Sequence, residues 1–181
     1  MLNEQGSVDF PGRAVHARPL VVGDLLFVGT MEGNLYAFDV ESGAEVWDKP
    51  FEANGAIADL GIAGPGVIFV PTLRNEVSLV NIATGREAQQ TFEASGWVWT
   101  SPVVRNGVAY FGDFSGTVYA LDITSGRVVW RYRGETKVKA QPALIGDTLV
   151  VADEGATVHF IDIDDGTRKN ECGRPSKKLR A

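Results

Sequence analysis

Few side chains in this sequence have the chemistry to hold a metal or turn over a substrate. There are 2 histidines, His16 and His159, and 1 cysteine, Cys172. A metal site needs clustered His, Cys and carboxylate ligands, and these three residues are scattered. One cysteine excludes an internal disulfide. No Ser–His–Asp or Cys–His arrangement follows from so few histidines, and no phosphate-cradling glycine loop precedes a helix. The carboxylates are more orderly. Asp39, Asn81, Asp122 and Asp162 each stand four residues before a glycine, namely Gly43, Gly85, Gly126 and Gly166. A short acceptor at that place takes the N–H groups of its own turn, and the glycine supplies the positive φ that closes a hairpin. The competing reading is calcium, most tempting at Asp162, Asp164 and Asp165. A helix-loop-helix calcium loop wants its glycine one position later, where Thr167 stands, so the turn reading is preferred.

A second set of polar residues recurs along the chain: His16 and Arg18, then Asp59, then Trp97, Trp99 and Ser101, then Lys139 and Gln141. Small or apolar residues alternate with them, at Ala17, Ala58, Val98, Val138 and Ala140. A period of two puts one set on one face of a strand. That face either lines a wet channel or receives a small ligand or a partner's peptide. Trp97 and Trp99 are the expected anchors of such an interface.

What positions these residues is a repeat. The phrase LYAFDVESGAEVW (Leu35–Trp47) returns as SLVNIATGREAQQ (Ser78–Gln90), VYALDITSGRVVW (Val118–Trp130) and VHFIDIDDGTRKN (Val158–Asn170). The turn glycines lie 42, 41 and 40 residues apart. A fixed period near forty marks an array of supersecondary units that bury their apolar faces on one another. In the third copy, Pro102–Arg105, Val108–Phe111, Thr117–Asp122 and Arg127–Tyr132 read as strands. They are separated by Asn106-Gly107, Gly112–Gly116 and Ile123–Gly126. Short β-branched and aromatic runs between such turns are hairpin-connected strands, and no window shows helical periodicity. The first copy predicts strands at Leu20–Val22, Leu25–Gly29, Leu35–Asp39 and Glu45–Trp47. Four strands per unit is a propeller blade.

The expected division is an N-terminal extension at 1–13, four repeats at about 14–52, 53–94, 95–135 and 136–170, and a basic tail at 171–181. Residues 1–166 carry 11 Lys+Arg against 22 Asp+Glu, a balance of −11, while residues 167–181 carry 6 against 1. An acidic body excludes a nucleic-acid surface. The tail reads as a solvated, disordered end. No apolar run reaches the length of a transmembrane helix, and the first residues lack the pattern of a secretory signal peptide.

On these residues the chain resembles the PQQ-like (pyrroloquinoline-quinone-type) repeat β-propellers, whose blade signature is Ala-x-Asp-x-x-x-Gly-x-x-x-Trp. It is intact at Ala37, Asp39, Gly43, Trp47 and at Ala120, Asp122, Gly126, Trp130; Thr91 and Asn170 are taken to stand in the tryptophan's place in the other two copies. The resemblance covers about residues 14–170. It implies an all-β propeller of four-stranded antiparallel blades, about four of them present, from a ring of the eight-bladed type. It implies that Trp47 and Trp130 are packing devices that reach the next blade. An open half-ring exposes apolar faces and strand edges, so the chain is expected to be a fragment, with a two-chain ring (a homodimer through open blade edges) or a tight four-bladed closure as the other resolutions. The role implied is a non-catalytic protein-interaction scaffold of the outer-membrane-assembly or extracytoplasmic sensor type, located in the periplasm. The partner would be another protein or further blades, with no cofactor. The alternative is a fragment of a PQQ-dependent alcohol or glucose dehydrogenase-type quinoprotein, which would bring PQQ and calcium. The adjacent cysteines of those enzymes are missing here.

Overall fold

The computed structural model describes residues 14–169, and among them none is helical. They form four antiparallel meanders in chain order. The first blade is β1 (Leu20–Val22), β2 (Leu25–Gly29), β3 (Asn34–Asp39) and β4 (Phe51–Glu52). The second is β5 (Gly61–Gly64), β6 (Val67–Pro71), β7 (Glu76–Asn81) and β8 (Phe92–Glu93). The third is β9 (Val103–Arg105), β10 (Val108–Gly112), β11 (Thr117–Asp122) and β12 (Val128–Arg133). The fourth has β13 (Ala143–Ile145), β14 (Thr148–Ala152) and β15 (Val158–Asp162) among the described residues. The extension at 1–13, the tail at 171–181, Asn170 and Cys172 lie outside the described residues.

The middle strands are buried on both faces, which is why they read as unbroken apolar runs. In β6, Ile68 and Val70 join Phe27, Leu35 and Trp47 of the first blade in one core. Phe69, between them, joins Phe111, Tyr119 and Leu121 of the third. The alternation repeats in β10, where Phe111 faces backward while Tyr110 faces Leu149, Val151 and Ile161 of the fourth blade. Each of these three cores therefore draws on two neighbouring blades, the stacking that a repeat array needs. Aromatic pairs lock the second junction, with Phe69 and Phe111 at 4.9 Å and Phe92 and Tyr119 at 5.2 Å in edge-on geometry. Asn106 and Gly107, both at positive φ (51° and 77°), make the β9–β10 hairpin turn whose twist suits antiparallel strands. In the second blade Asn75 (φ 66°) fills the place that Gly33 and Gly116 hold elsewhere, because asparagine tolerates the left-handed region.

Three expectations need correction. The outer strand of the first blade is not Glu45–Trp47: Glu45 makes only an isolated bridge to Phe38, and pairing resumes at Phe51–Glu52. The second blade lapses in the same way without a proline: Glu87 makes an isolated bridge to Val80, and pairing resumes at Phe92–Glu93. β12 runs unbroken past a bulge at Ala120/Leu121. The residue in the tryptophan's place in the second repeat is Gln89, not Thr91; a Cβ on Gly126 would stand 3.4 Å from the Gln89 Cβ. Finally, the alternating polar residues lie not in the innermost strands but in irregular lead-in segments before them. Pro19, Pro102 and Pro142 close three of these segments, hold the preceding residue extended and bring no N–H of their own to a ladder.

Candidate functional site

Each lead-in segment is fastened to the turn tip of its own blade, and those of Ile57 and Val138 also to the blade before. Ala17, Ile57, Val98 and Val138 are buried, at 2%, 0%, 0% and 3% exposure. The Ile57 N–H donates to the Thr30 carbonyl of the preceding blade at 3.1 Å, and Val138 N–H to Asp113 carbonyl at 3.0 Å. In return the β2–β3-type turn tips donate to the segments: Met31 N–H to Ala14, Leu73 to Ala56, Phe114 to Trp97 and Glu154 to Lys137, each at 2.9 Å. A buried residue between two exposed ones then presents its neighbours outward. His16 and Arg18, Trp97 and Trp99, and Lys137 and Lys139 are the exposed pairs.

Four blades are joined by a single polar chain. The Arg18 guanidinium stands 3.9 Å from the Asp59 carboxylate and donates to the Ser101 hydroxyl at 3.4 Å. The buried Ser101 backbone N–H donates to Asp59 at 2.9 Å. The Gln141 amide donates to the Ser101 hydroxyl at 3.2 Å and the Pro102 carbonyl at 3.0 Å. The spacing of about forty residues thus becomes contact: Arg18, Asp59, Ser101 and Gln141 meet around one point, while His16 stays exposed on its segment.

The rim above this chain carries an aromatic cluster. Phe114 lies 5.8 Å from Trp97 and 5.7 Å from Trp99, stacked on the latter at 27°. The ammonium groups of Lys137 and Lys139 sit 5.6 and 5.4 Å from its ring centre, within cation–π range, and Lys139 also pairs with Glu154. Both tryptophans remain about half exposed, at 46% and 45%. Two open clefts adjoin Phe114, one of about 430 Å³ toward Asn75 and Trp97 and one of about 410 Å³ toward Glu135 and Glu154. Phe114 and Lys137 are absent from the candidates read from the sequence. The signal is there all the same: the tip of a solvent turn should be polar, yet Met31, Leu73 and Phe114 occupy it in three of four blades.

The cluster has a rigid base. Asp113, at 0% exposure, accepts from Ser115 N–H (2.8 Å), Ser115 hydroxyl (2.6 Å), Thr117 N–H (3.0 Å) and the Tyr119 hydroxyl (2.8 Å). Tyr119 in turn accepts the Ser95 N–H at 2.8 Å, and burial raises its pKa above the ordinary phenol value. A Cβ on Gly96 would come within 2.6 Å of the Ser115 nitrogen, so glycine alone lets these two loops touch beneath Trp97.

The remaining candidates surround turns and seams. Asp39 accepts the Ser42 hydroxyl and N–H at 2.6 and 2.7 Å, and Asp122 accepts those of Ser125 at 2.7 Å each; the hydroxyl bonds foremost hold both carboxyls below the ordinary value. Asp162 is engaged by Lys169 at 2.8 Å and the Asp164 N–H at 2.9 Å, and Asp165 by Thr167. The Asp162 and Asp165 carboxylates thus serve their own turn, and among the described residues no group of three or more His, Cys, Asp and Glu is arranged to hold a metal. The indole N–H groups of Trp47 and Trp130 donate across to the carbonyls of Ile82 (2.9 Å) and Ile163 (2.8 Å) in the next blade. Their rings lie directly over Gly85 and Gly166, where an added Cβ would come within 2.6 and 2.7 Å; Gly43 has the same left-handed φ of 65°. His159 is buried between the Asp153 carboxylate and the Tyr132 hydroxyl, 3.0 Å from each, and faces no open cleft of the rim.

The family model described as outer membrane protein assembly factor BamB matches residues 3–95 and again 73–179. The BamB of Legionella pneumophila (strain Paris) is 24% identical over 161 residues, covering 82% of this chain and 40% of that protein. The chain thus spans about two fifths of the length of such relatives. The crystal structure of BamB from Moraxella catarrhalis superposes with a TM-score of 0.73 at 19% identity, over 85% of this chain and 51% of that one. The computationally designed Ika4 protein superposes with a TM-score of 0.76 at 16% identity, over 87% of this chain and 96% of that one. No helix among the described residues is long and apolar enough to cross a membrane.

Proposed function

Because the chain belongs to the family described as outer membrane protein assembly factor BamB, we propose that it is a non-catalytic interaction scaffold on the extracytoplasmic side of the cell, in the periplasm, holding a partner of outer-membrane protein assembly. The observation that carries this reading is the half-exposed Trp97–Phe114–Trp99 cluster on a rigid rim. Exposed aromatics held in one place are the usual anchors of protein interfaces, and a propeller built to present loops on one face is a platform for them. The scaffold needs neither PQQ nor calcium.

Site-specific photo-crosslinking in cells tests this. A photoreactive phenylalanine analogue at position 97 should yield discrete adducts with a protein of the outer-membrane assembly pathway. The same analogue at exposed Val129, on β12, should not. Adducts at both positions alike, or only with cytoplasmic proteins, would refute the scaffold reading. A saturable absorbance change on adding PQQ and calcium to the purified chain would replace it with the quinoprotein alternative.

A further inference from the structure

The repeat places the same two positions of every lead-in segment on one rim, on either side of the buried Ala17, Ile57, Val98 and Val138, exposed in three segments and half-buried at Ala56 and Ala58. Across the four repeats these positions hold His16 and Arg18, Ala56 and Ala58, Trp97 and Trp99, Lys137 and Lys139. None is acidic, although residues 1–166 carry twice as many Asp and Glu as Lys and Arg. The acids nearest this crescent hold other places: Asp59 lies beneath Arg18, Glu32 on a turn tip accepts the Ala14 N–H at 3.4 Å, Glu154 sits on a turn tip against Lys139, and Glu135 lines the cleft with Lys137. Cations thus flank an aromatic platform, and the two alanines between leave a shallow gap.

We propose that this crescent binds an extended, acidic segment of a partner protein, with an apolar side chain seated against Trp97, Trp99 and Phe114 and carboxylates over Lys137, Lys139 and Arg18. This deepens, and rests on, the scaffold reading. The complementarity is of sign and of shape. Cations on the rim steer acidic segments toward it. The aromatic rings supply the desolvated centre that the rim charges surround. Carboxylate binding would shift Lys139 away from Glu154 rather than require a new cation.

Fluorescence anisotropy on the full chain tests it, using a dye-labelled peptide alternating glutamate with phenylalanine, its lysine-for-glutamate counterpart, and anionic phosphatidylglycerol vesicles. The acidic peptide should bind saturably and weaken as salt rises. Trp99→Ala should lower its affinity about tenfold or more, as truncation of an anchor does. The double variant Lys137→Ala, Lys139→Ala should lower it about fivefold, in the range for two exposed charge pairs. Far-UV circular dichroism before each titration keeps unfolded variants out of the comparison. Equal binding of the basic peptide, binding indifferent to both variants, binding to vesicles alone, or no binding of the acidic peptide would each overturn the proposal. Crosslinking from position 97 to an assembly protein, with the acidic peptide failing to bind, would leave the scaffold standing and remove only this choice of segment.

Discussion

Gly166→Ala separates the two reasons for glycine at a blade turn. Gly166 has φ 73° and lies beneath the Trp130 ring, 2.7 Å from where a Cβ would stand. Alanine there bears the left-handed backbone penalty, about 1–2 kcal/mol, and must displace a ring that is only 8% exposed, about 1–3 kcal/mol by analogy with overpacked cores. Gly146 calibrates the first term, since it has φ 55° and nothing within 4 Å of the place a methyl would take; Gly146→Ala should therefore lose about 1–2 kcal/mol and no more. Trp130→Ala by itself should lose about 3–5 kcal/mol, the range for truncating a buried aromatic, and leaves the Ile163 carbonyl without its indole donor. In that background the ring is gone, so Gly166→Ala should again cost only about 1–2 kcal/mol. The cycle predicts a coupling of about 1–3 kcal/mol between residues 36 positions apart in sequence. Urea unfolding followed by far-UV circular dichroism measures all five proteins without depending on the tryptophan being removed. If Gly166→Ala costs no more than Gly146→Ala, or costs the same with and without Trp130, the ring is not what holds the third blade on the fourth.

Acid should loosen the seam at His159. The hydrogen bond from His159, followed by that from the Thr157 N–H, lowers the Asp153 pKa from 3.8 to about 2. A depressed carboxylate contributes stability that is fully present above its unfolded value and is lost as pH falls through the folded one. Stability to urea should therefore decline between about pH 4 and about pH 2, and Asp153→Asn should flatten that part of the curve; parallel curves would disprove the linkage. In the polar chain beneath the rim, Asp59→Ala removes the acceptor of the Ser101 N–H in a residue only 3% exposed, a loss of about 1–3 kcal/mol. Asp59→Asn keeps an acceptor oxygen and should lose under about 1 kcal/mol in the same urea titration; an equal loss in both would mean the charge, not the acceptor, holds the segment.

The blades are legible because their determinants are local. Turn glycines, Asn-Gly pairs and apolar runs act within a few residues, and the structure places β1, β2, β3, β9, β10, β11 and β12 within about a residue of the sequence reading. The outer strand of the first blade departs from that reading because Trp47 suggests continuity while the ladder lapses between Glu45 and Phe51, as it does between Glu87 and Phe92 in the second blade. The lead-in segments mimic strands because alternating exposure arises equally from an extended segment fastened at its buried residue. The contacts that make the rim are not legible. Arg18 reaches Ser101 over 83 residues, and Phe114 reaches Trp97 and Trp99 only because the Asp113 turn folds back onto the segment beside it. Such meetings depend on the angle between blades, which no single repeat encodes. Gln89, by contrast, is found by counting four residues on from Gly85.

The seating of Trp47 over Gly85 and of Trp130 over Gly166 is a tenon in a mortise. Two of the repeats supply the tenon and the next in line supplies the mortise. A vane copied by tandem duplication would be born already fitted to its parent, with no fresh joint to invent. Growth by whole vanes is then the easy direction of change for such an array, and loss of a tenon, as at Gln89, is tolerable where edge-on phenylalanines glue the same joint.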